Sequence, residues 1–466
     1  MQANEVLDDL LRELGWSPRT LARCLNREFG TATVTETAPY HWRDSNGVPR
    51  PPLPALVAHL LSCELGRLVT VRELWQGRAG DSPLVLPADA GMQRPWNRAG
   101  ALGTIDDWVV TGLLDRRRFL AISGAGLTSM ASGYLDAETS SQAAASAVAE
   151  SPLIEQIEQA IPLLQRLDDA SGGGSHIEYV GAQFRSVGLL VRQGSQPRAI
   201  EVRLLAALAE IGQLAGWMAF DAGLHGPAQR YLFTALRAAH ECGYRPLAAH
   251  IVADLAFQAA SRQRPSDAVG LGESAVRIAQ RAPASVRASV QTRLAYGYAV
   301  AGDLPAFERA HRTALDVLAD GDRSDDPAWM YYLTPSHLDA QAGYALTHVG
   351  VLTAESGRAA AGRSLLRHGE KLLRQGAYDR PMTETSQRRA LFEGAWLATA
   401  AAGRGNLEEA CALGRTAVAR TATVRSARSL EVLARLAARL RRAQRNEYVR
   451  DFLPLLETCL KRRPSP

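Results

Sequence analysis

The apolar residues Val6, Leu7, Leu10, Leu11 and Leu14 recur at three- and four-residue intervals, which places them on one face of a helix. Asn4 can cap that helix and Gly15 can end it, because asparagine accepts free first-turn amides and glycine tolerates the left-handed stop. Ser17-Pro18 opens a second helix through Leu21, Ala22 and Leu25 to Phe29, with Gly30 as its stop. Thr35 or Thr37 caps a short third helix through Tyr40, His41, Trp42 and Arg43, which Asn46-Gly47 and Pro49 end. A fourth carries Leu53, Leu56, Val57, Leu60, Leu61 and Leu65, and Thr70-Val71-Arg72-Glu73 is a capping box ahead of Leu74 and Trp75. Residues 1–77 thus predict a compact domain of short helices.

Periodicity then lapses. Residues 77–105 are rich in Gly, Pro and Asp, with Trp96 among them and Trp108 just beyond, and 78–150 reads as a linker. From Ile154 long amphipathic segments alternate with short breaks, and Ser171-Gly172-Gly173-Gly174-Ser175 reads as a flexible turn between the first two. An aromatic or bulky position, a glycine or polar turn and then an alanine recur: Trp217, Gly223, Ala228; Phe257, Ala268; Tyr296, Gly302, Ala306; Val349, Gly357, Ala361; Trp396, Gly403, Ala410. The steps between these alanines each fit two helices and a connector, predicting five or six stacked pairs over 151–466 with a concave wall of first helices. A final helix with Leu433, Leu436, Leu440 and Val449 on one stripe is expected to cap the stack.

Composition agrees with an all-helical chain: 466 residues exceed one ordinary core, aromatics are only 6%, and 22% of residues are charged. The net charge of +5 does not locate a nucleic-acid surface. Residues 1–77 hold eight Arg against nine Asp and Glu, whereas 425–466 hold eleven Arg or Lys against four acids. The lysines are Lys371 and Lys461 alone. Cys24, Cys63, Cys242, Cys411 and Cys459 stand singly, as expected of buried thiols in a reducing cytoplasm rather than metal ligands. No apolar run is long enough to span a bilayer, and Asp8, Asp9 and Glu13 stand where a signal peptide needs positive charge. The chain carries no nucleophile elbow, phosphate-binding glycine loop or paired zinc-ligand histidines, so neither an enzyme nor a cofactor or metal site is expected.

The order of the first helices, with Trp42, Gly47 and Pro49 following the third and an apolar helix behind them, resembles the Xre-type, lambda-repressor-like helix-turn-helix family. That resemblance implies that the second helix crosses a DNA backbone and the third reads the major groove. Thr35, Thr37, Tyr40, His41 and Arg43 are then the residues able to meet base edges or phosphates, Arg43 foremost, and Arg19, Arg23 and Arg50 flank them as phosphate contacts. Trp42 is assigned to the core of the domain. Two features depart from the pattern: the long segment from Gly30 to Thr35, and Asn26 inside the second helix.

Arg116-Arg117-Arg118-Phe119-Leu120, followed by a mildly apolar stretch and small residues, resembles a twin-arginine export signal and would leave a mature chain starting near Val148. Its internal position favours instead a basic helix start between the two domains, with three arginines available to phosphates. In the array, Asp325–His337 breaks the repeat with three aromatic residues, and Trp329, Tyr331, Tyr332, His337 and Asp339 are the candidates for a small ligand or peptide, against plain packing of an insertion.

The whole layout resembles actinobacterial Xre-type regulators with degenerate tetratricopeptide-like domains. The resemblance implies a cytoplasmic, dimeric transcriptional regulator whose repeat domain binds an effector and thereby alters the spacing of two reading helices on operator DNA. The alternative is a protein-interaction scaffold that binds no DNA, which the near-neutral charge of residues 1–77 favours.

Overall fold

The computed structural model describes residues 3–29, 33–50, 53–65, 69–79, 94–106, 122, 124–137, 151–194, 196–376 and 385–461. Every regular element among them is helical. The chain divides into two compact units, one of Met1–Gln93 with Asp115–Ile122 and one of Arg94–Leu114 with Ser123–Pro466. The triple arginine and Trp108 lie outside the described residues.

The first unit holds α1 (Glu5–Glu13), α2 (Pro18–Phe29), α3 (Ala38–Asp44), α4 (Leu53–Leu65) and α5 (Val71–Leu74). Leu7, Leu10 and Leu11 of α1, Leu21 and Leu25 of α2, Trp42 of α3, Leu60 and Leu61 of α4, and Trp75 share one core. Asn4 does more than cap. Its Oδ1 accepts from Leu7 N at 3.0 Å, its Nδ2 donates to Leu74 O at 3.1 Å, and its own amide donates to Arg43 O at 2.7 Å. One fully buried asparagine, through its side chain and its backbone amide together, thus ties α1 to the ends of α3 and α5. The expected capping box is present, Glu73 N donating to Thr70 Oγ1 at 3.0 Å.

Residues of the expected linker belong to the second unit. The helices α6 (Arg98–Ile105) and α7 (Ala125–Asp136) pack on the array. Trp96 meets Tyr134 of α7 at 5.7 Å and His240 at 5.3 Å, and the Arg237 guanidinium lies 4.6 Å over its ring. Of the expected linker, residues 80–93, 107–121 and 138–150 lie outside the described residues.

The array itself consists, among the described residues, of seven consecutive helix pairs: α8 (Pro152–Ser171) and α9 (Gly173–Gln193), α10 (Arg198–Asp221) and α11 (His225–Glu241), α12 (Arg245–Ser261) and α13 (Pro265–Ile278), α14 (Ala284–Ala301) and α15 (Leu304–Asp320), α16 (Pro335–Glu355) and α17 (Ala359–Gly376), α18 (Gln387–Arg404) and α19 (Leu407–Arg420), α20 (Ala427–Leu440) and α21 (Glu447–Lys461). The expected single terminal helix is broken after Leu440, leaving Val449 on α21. First helices touch in sequence from α10 through α20, and α20 returns to touch α10. The inner layer is therefore closed.

The glycine run is part of that closure and not a flexible turn. Gly174 N donates to Arg425 O at 2.9 Å, Arg425 N donates to Ser171 O at 2.8 Å, and Gly173 N donates to Asp221 Oδ2 at 3.1 Å. A Cβ on Gly173 would stand 2.1 Å from Met218 O, so backbone meets backbone where the ends of the array join.

A second close approach joins α16 and α17. Each carries two glycines seven apart, Gly343 and Gly350 facing Gly369 and Gly362; a Cβ on Gly369 would lie 2.7 Å from Gly343 O. Gly369→Ala is expected to destabilise the array by about 1–3 kcal/mol through this clash, although alanine is the better helix former by about 1 kcal/mol. Gly394→Ala on α18, whose added methyl meets nothing within 4 Å, is expected to stabilise by about 0.5–1 kcal/mol. Thermal unfolding of the two variants by circular dichroism distinguishes the signs.

Candidate functional site

In the first unit the face around α3 is set by Trp42, which is 4% exposed and meets Trp75 edge-on with centroids 6.2 Å apart. With that side inward, Thr37, Tyr40 and His41 are exposed, as are Thr35 just before the helix, Arg19 and Arg23 on α2, and Arg50 beyond α3. Thr37 occupies the capping position without a side-chain bond to the helix; its hydroxyl lies 3.3 Å from that of Thr35. The long segment before α3 is pinned by Asn26, whose Nδ2 donates to Val34 O at 2.8 Å while Val34 N donates to Asn26 Oδ1 at 2.9 Å. Asn26 of α2 is thus what holds the long connection in place.

Several of the arginines expected to meet phosphate already face carboxylates. Arg19 pairs with Glu36 at 2.6 Å. Arg43, half-buried, pairs with Asp44 at 2.6 Å and reaches Asp8 of α1 at 3.8 Å, with its guanidinium 5.5 Å over the Tyr40 ring. The hydrogen bond to Asp44 raises the Arg43 pKa and holds the Asp44 carboxyl below its usual range. Such exposed pairs contribute only about 0.2–1 kcal/mol, so a phosphate can displace them. Arg23 and Arg50 have no ion pair among the described residues.

In the second unit the inner wall is built in two registered layers. Trp217 (α10), Phe257 (α12), Tyr296 (α14), Tyr344 (α16) and Phe392 (α18) meet in succession at 5.6, 5.3, 6.0 and 5.1 Å between ring centroids. Tyr344 and Phe392, not Val349 and Trp396, are thus the equivalents of the first three aromatics. Arg428 of α20 completes the circle, its guanidinium 4.0 Å over Phe392, 4.9 Å over Trp217 and 5.6 Å over Phe257. Its charge is met by Asp221 at 3.2 Å, which also accepts from the Ser426 hydroxyl at 2.8 Å.

One turn toward the N-terminal ends of these helices the wall is polar. Gln213 donates to Asp254 at 2.6 Å and Arg293 donates to the same carboxylate at 2.8 Å. Arg388 lies 3.1 Å from Asp168 and 3.3 Å from Asp169, and Arg389 pairs with Glu393 at 2.6 Å. Burial pushes the Asp168 and Glu393 carboxyls up to about 7, against the pull of the neighbouring arginines. Arg293 and Arg388 also approach the Trp217 ring, at 5.9 and 5.7 Å.

The irregular segment after α15 crosses this polar layer. Tyr331, half exposed, donates its hydroxyl to Asp169. Tyr332 meets Tyr331 at 5.9 Å and His337 at 5.3 Å. His337 faces Glu393 at 3.9 Å, and burial holds its pKa far below the usual imidazole value. The other two candidates are elsewhere engaged. Trp329 is only 6% exposed, meets the His250 ring at a tilt with centroids 4.9 Å apart and donates Nε1–H to the Tyr244 hydroxyl at 2.9 Å; it is an anchor rather than a pocket wall. Asp339 turns to His311 at 3.4 Å.

Residues 7–75 are similar to the SP15 N-terminal domain. No curated protein matches the chain. The similarity lies on the five short helices and does not reach the array. Among the described residues no helix is long and apolar enough to cross a membrane, and no three His, Cys, Asp or Glu are grouped to hold a metal ion.

Asp168, Asp221, Asp254, Arg293, Arg388 and Arg428 were not legible as site residues. A signal for some was present: Asp254, Arg293 and Arg389 each precede the aromatic of their helix by three positions, and Gln213 by four, so a charged or amide group repeats on an otherwise apolar face.

Proposed function

We propose that this chain is a transcriptional regulator that binds operator DNA through α3 and responds to a small ligand, peptide or protein partner at the polar end of the array's inner wall. The observation that carries the DNA half is α3 itself: Trp42 anchors one side in the core while Thr37, Tyr40 and His41 on the other sides stand exposed beside Arg23 and Arg50. A single module in which Arg19 and Arg43 are already paired neutralises few phosphates, so the proposal includes a homodimer whose two α3 helices address two half-sites. For the effector half, Tyr331, Tyr332, His337, Arg388 and Asp169 join aromatic surface to polar groups and retain partial exposure. An effector that rearranges them acts on the contacts between α8, α14 and α18.

Affinity selection of genomic DNA by the full chain, across a salt series, tests this reading. One recovered motif is expected, bound less tightly as salt rises. His41→Ala is expected to weaken binding to that motif about tenfold if its ring meets a base edge, and Arg43→Ala to weaken it less, because Asp44 and Asp8 already share its charge. Binding unchanged in both variants would remove α3 as the reader.

One observation favours a second reading. Glu36, Asp44 and Asp8 neutralise Arg19 and Arg43, a surface suited to protein contact as well as to DNA. If no motif is enriched, the chain acts as an interaction scaffold, the N-terminal unit docking protein.

A further inference from the structure

We propose that the cleft between α17 and the C-terminal end of α18 is a binding site for a compact, multiply charged, phosphate-bearing small molecule. The site lies outside the inner wall and does not rest on the regulator reading.

The sequence sets one edge of it. Arg363, Arg367, Lys371 and Arg374 follow one another at four-, four- and three-residue steps, a straight stripe on α17, and all four are exposed. Lys371 is one of only two lysines in the chain. Like charges at such spacing destabilise a helix by about 0.2–0.5 kcal/mol per pair, and neither Arg367 nor Lys371 has an ion pair among the described residues to offset this. Helix stability alone does not favour this arrangement.

The floor is what turns a basic stripe into a cleft. Glu370 is 3% exposed and gives each oxygen to a different arginine, Oε1 to Arg374 at 2.7 Å and Oε2 to Arg404 of α18 at 2.5 Å. Burial opposes the charge on Glu370, yet hydrogen bonds from Arg404 and Arg374 outweigh it and hold the carboxyl below its usual range. Glu409 takes a further Arg374 contact at 2.5 Å. One buried carboxylate therefore fixes two guanidiniums from different helices, each retaining N–H groups that no carboxylate of the cleft uses.

Arg367, Lys371, Arg374 and Arg404 surround a cavity of about 390 Å³ with Glu370 at its base. Cations thus exceed the carboxylates of the cleft, which requires a ligand carrying more than one negative charge. The fixed, forked arginines suit the oxygens of a phosphate, while Lys371 supplies a mobile point charge. The volume sits at the low end of small-molecule sites, which suits a compact anion.

Isothermal titration of the full chain with pyrophosphate, at several salt concentrations, tests the assignment. A saturable, stoichiometric site is expected, weakening with salt. Arg367→Ala/Lys371→Ala is expected to weaken binding at least about tenfold with no change in unfolding temperature, since both side chains are exposed. Two results would overturn the proposal: no saturable binding, or binding untouched by the double substitution. Random-sequence duplex DNA that displaces pyrophosphate with the same residue dependence would also overturn it, making this face a nucleic-acid surface.

Discussion

Arg428→Ala is expected to destabilise the repeat unit by about 3–5 kcal/mol, the range found when one partner of a buried ion pair is removed. The residue is 9% exposed and its guanidinium lies against the rings of Phe392, Trp217, Phe220 and Phe257. Truncation leaves a void among those rings. It also strips the fully buried Asp221 of its ion-pair partner, leaving hydrogen bonds from the Ser426 hydroxyl and the Gly173 amide and the more distant charge of Arg388. Against a whole-domain stability of about 5–15 kcal/mol this is a large fraction. Arg428→Met separates the two effects, because methionine fills much of the volume without the charge. Denaturant midpoints measure the loss. Hydrogen exchange should rise first in α8, α9, α20 and α21, where the array joins itself. A change below about 1 kcal/mol would show that the aromatic circle does not depend on its arginine.

Trp42→Ala is expected to unfold the N-terminal unit. Removing a buried tryptophan costs about 3–5 kcal/mol, and the edge-on contact with Trp75 adds about 0.5–1.5 kcal/mol. A core of this size rarely supplies more than about 3–5 kcal/mol in total. The helical signal of α1 to α5 should disappear at temperatures where the wild-type protein is intact, and any DNA binding should vanish with it. Comparison with His41→Ala is decisive here, because His41 is exposed and its loss should leave the unit folded. Retention of the folded unit in Trp42→Ala would place the stability of α3 elsewhere, in Asn4 and its three hydrogen bonds.

The N-terminal helices were legible because their signals are local. Asn4 and Gly15 bracket α1, Thr70 and Glu73 open α5, and the apolar stripes name the core. The long-range half of the Asn4 story was not legible, since its bond to Leu74 O joins positions far apart in the chain. In the array the helix-pair pattern was readable, but the register of its fourth and fifth units was not. Val349 and Trp396 lie one turn or so from Tyr344 and Phe392, and single-helix periodicity cannot say which of two neighbouring residues faces the centre.

Three further features were misread for one reason. The glycines at 172–174 suggest flexibility, Trp96 suggests an irregular connector, and Trp329 suggests a pocket. Each is instead a contact with a distant segment: Arg425 and Met218 against the glycines, Arg237 and His240 against Trp96, and Tyr244 and His250 against Trp329. Glycine is required equally where a chain must bend freely and where two backbones touch, and composition does not separate the two.

What the amino-acid sequence determined by itself is the all-helical class, the compact N-terminal set of short helices, and the stacking of helix pairs, because capping and amphipathic spacing are properties of a few consecutive residues. Only the tertiary structure decided that the array closes on itself, that its centre is occupied by Arg428, and that Glu370 gathers two arginines into a cleft. These depend on side chains brought together from separate helices, and a buried charge acquires its role from the partner that neutralises it, wherever in the chain that partner lies.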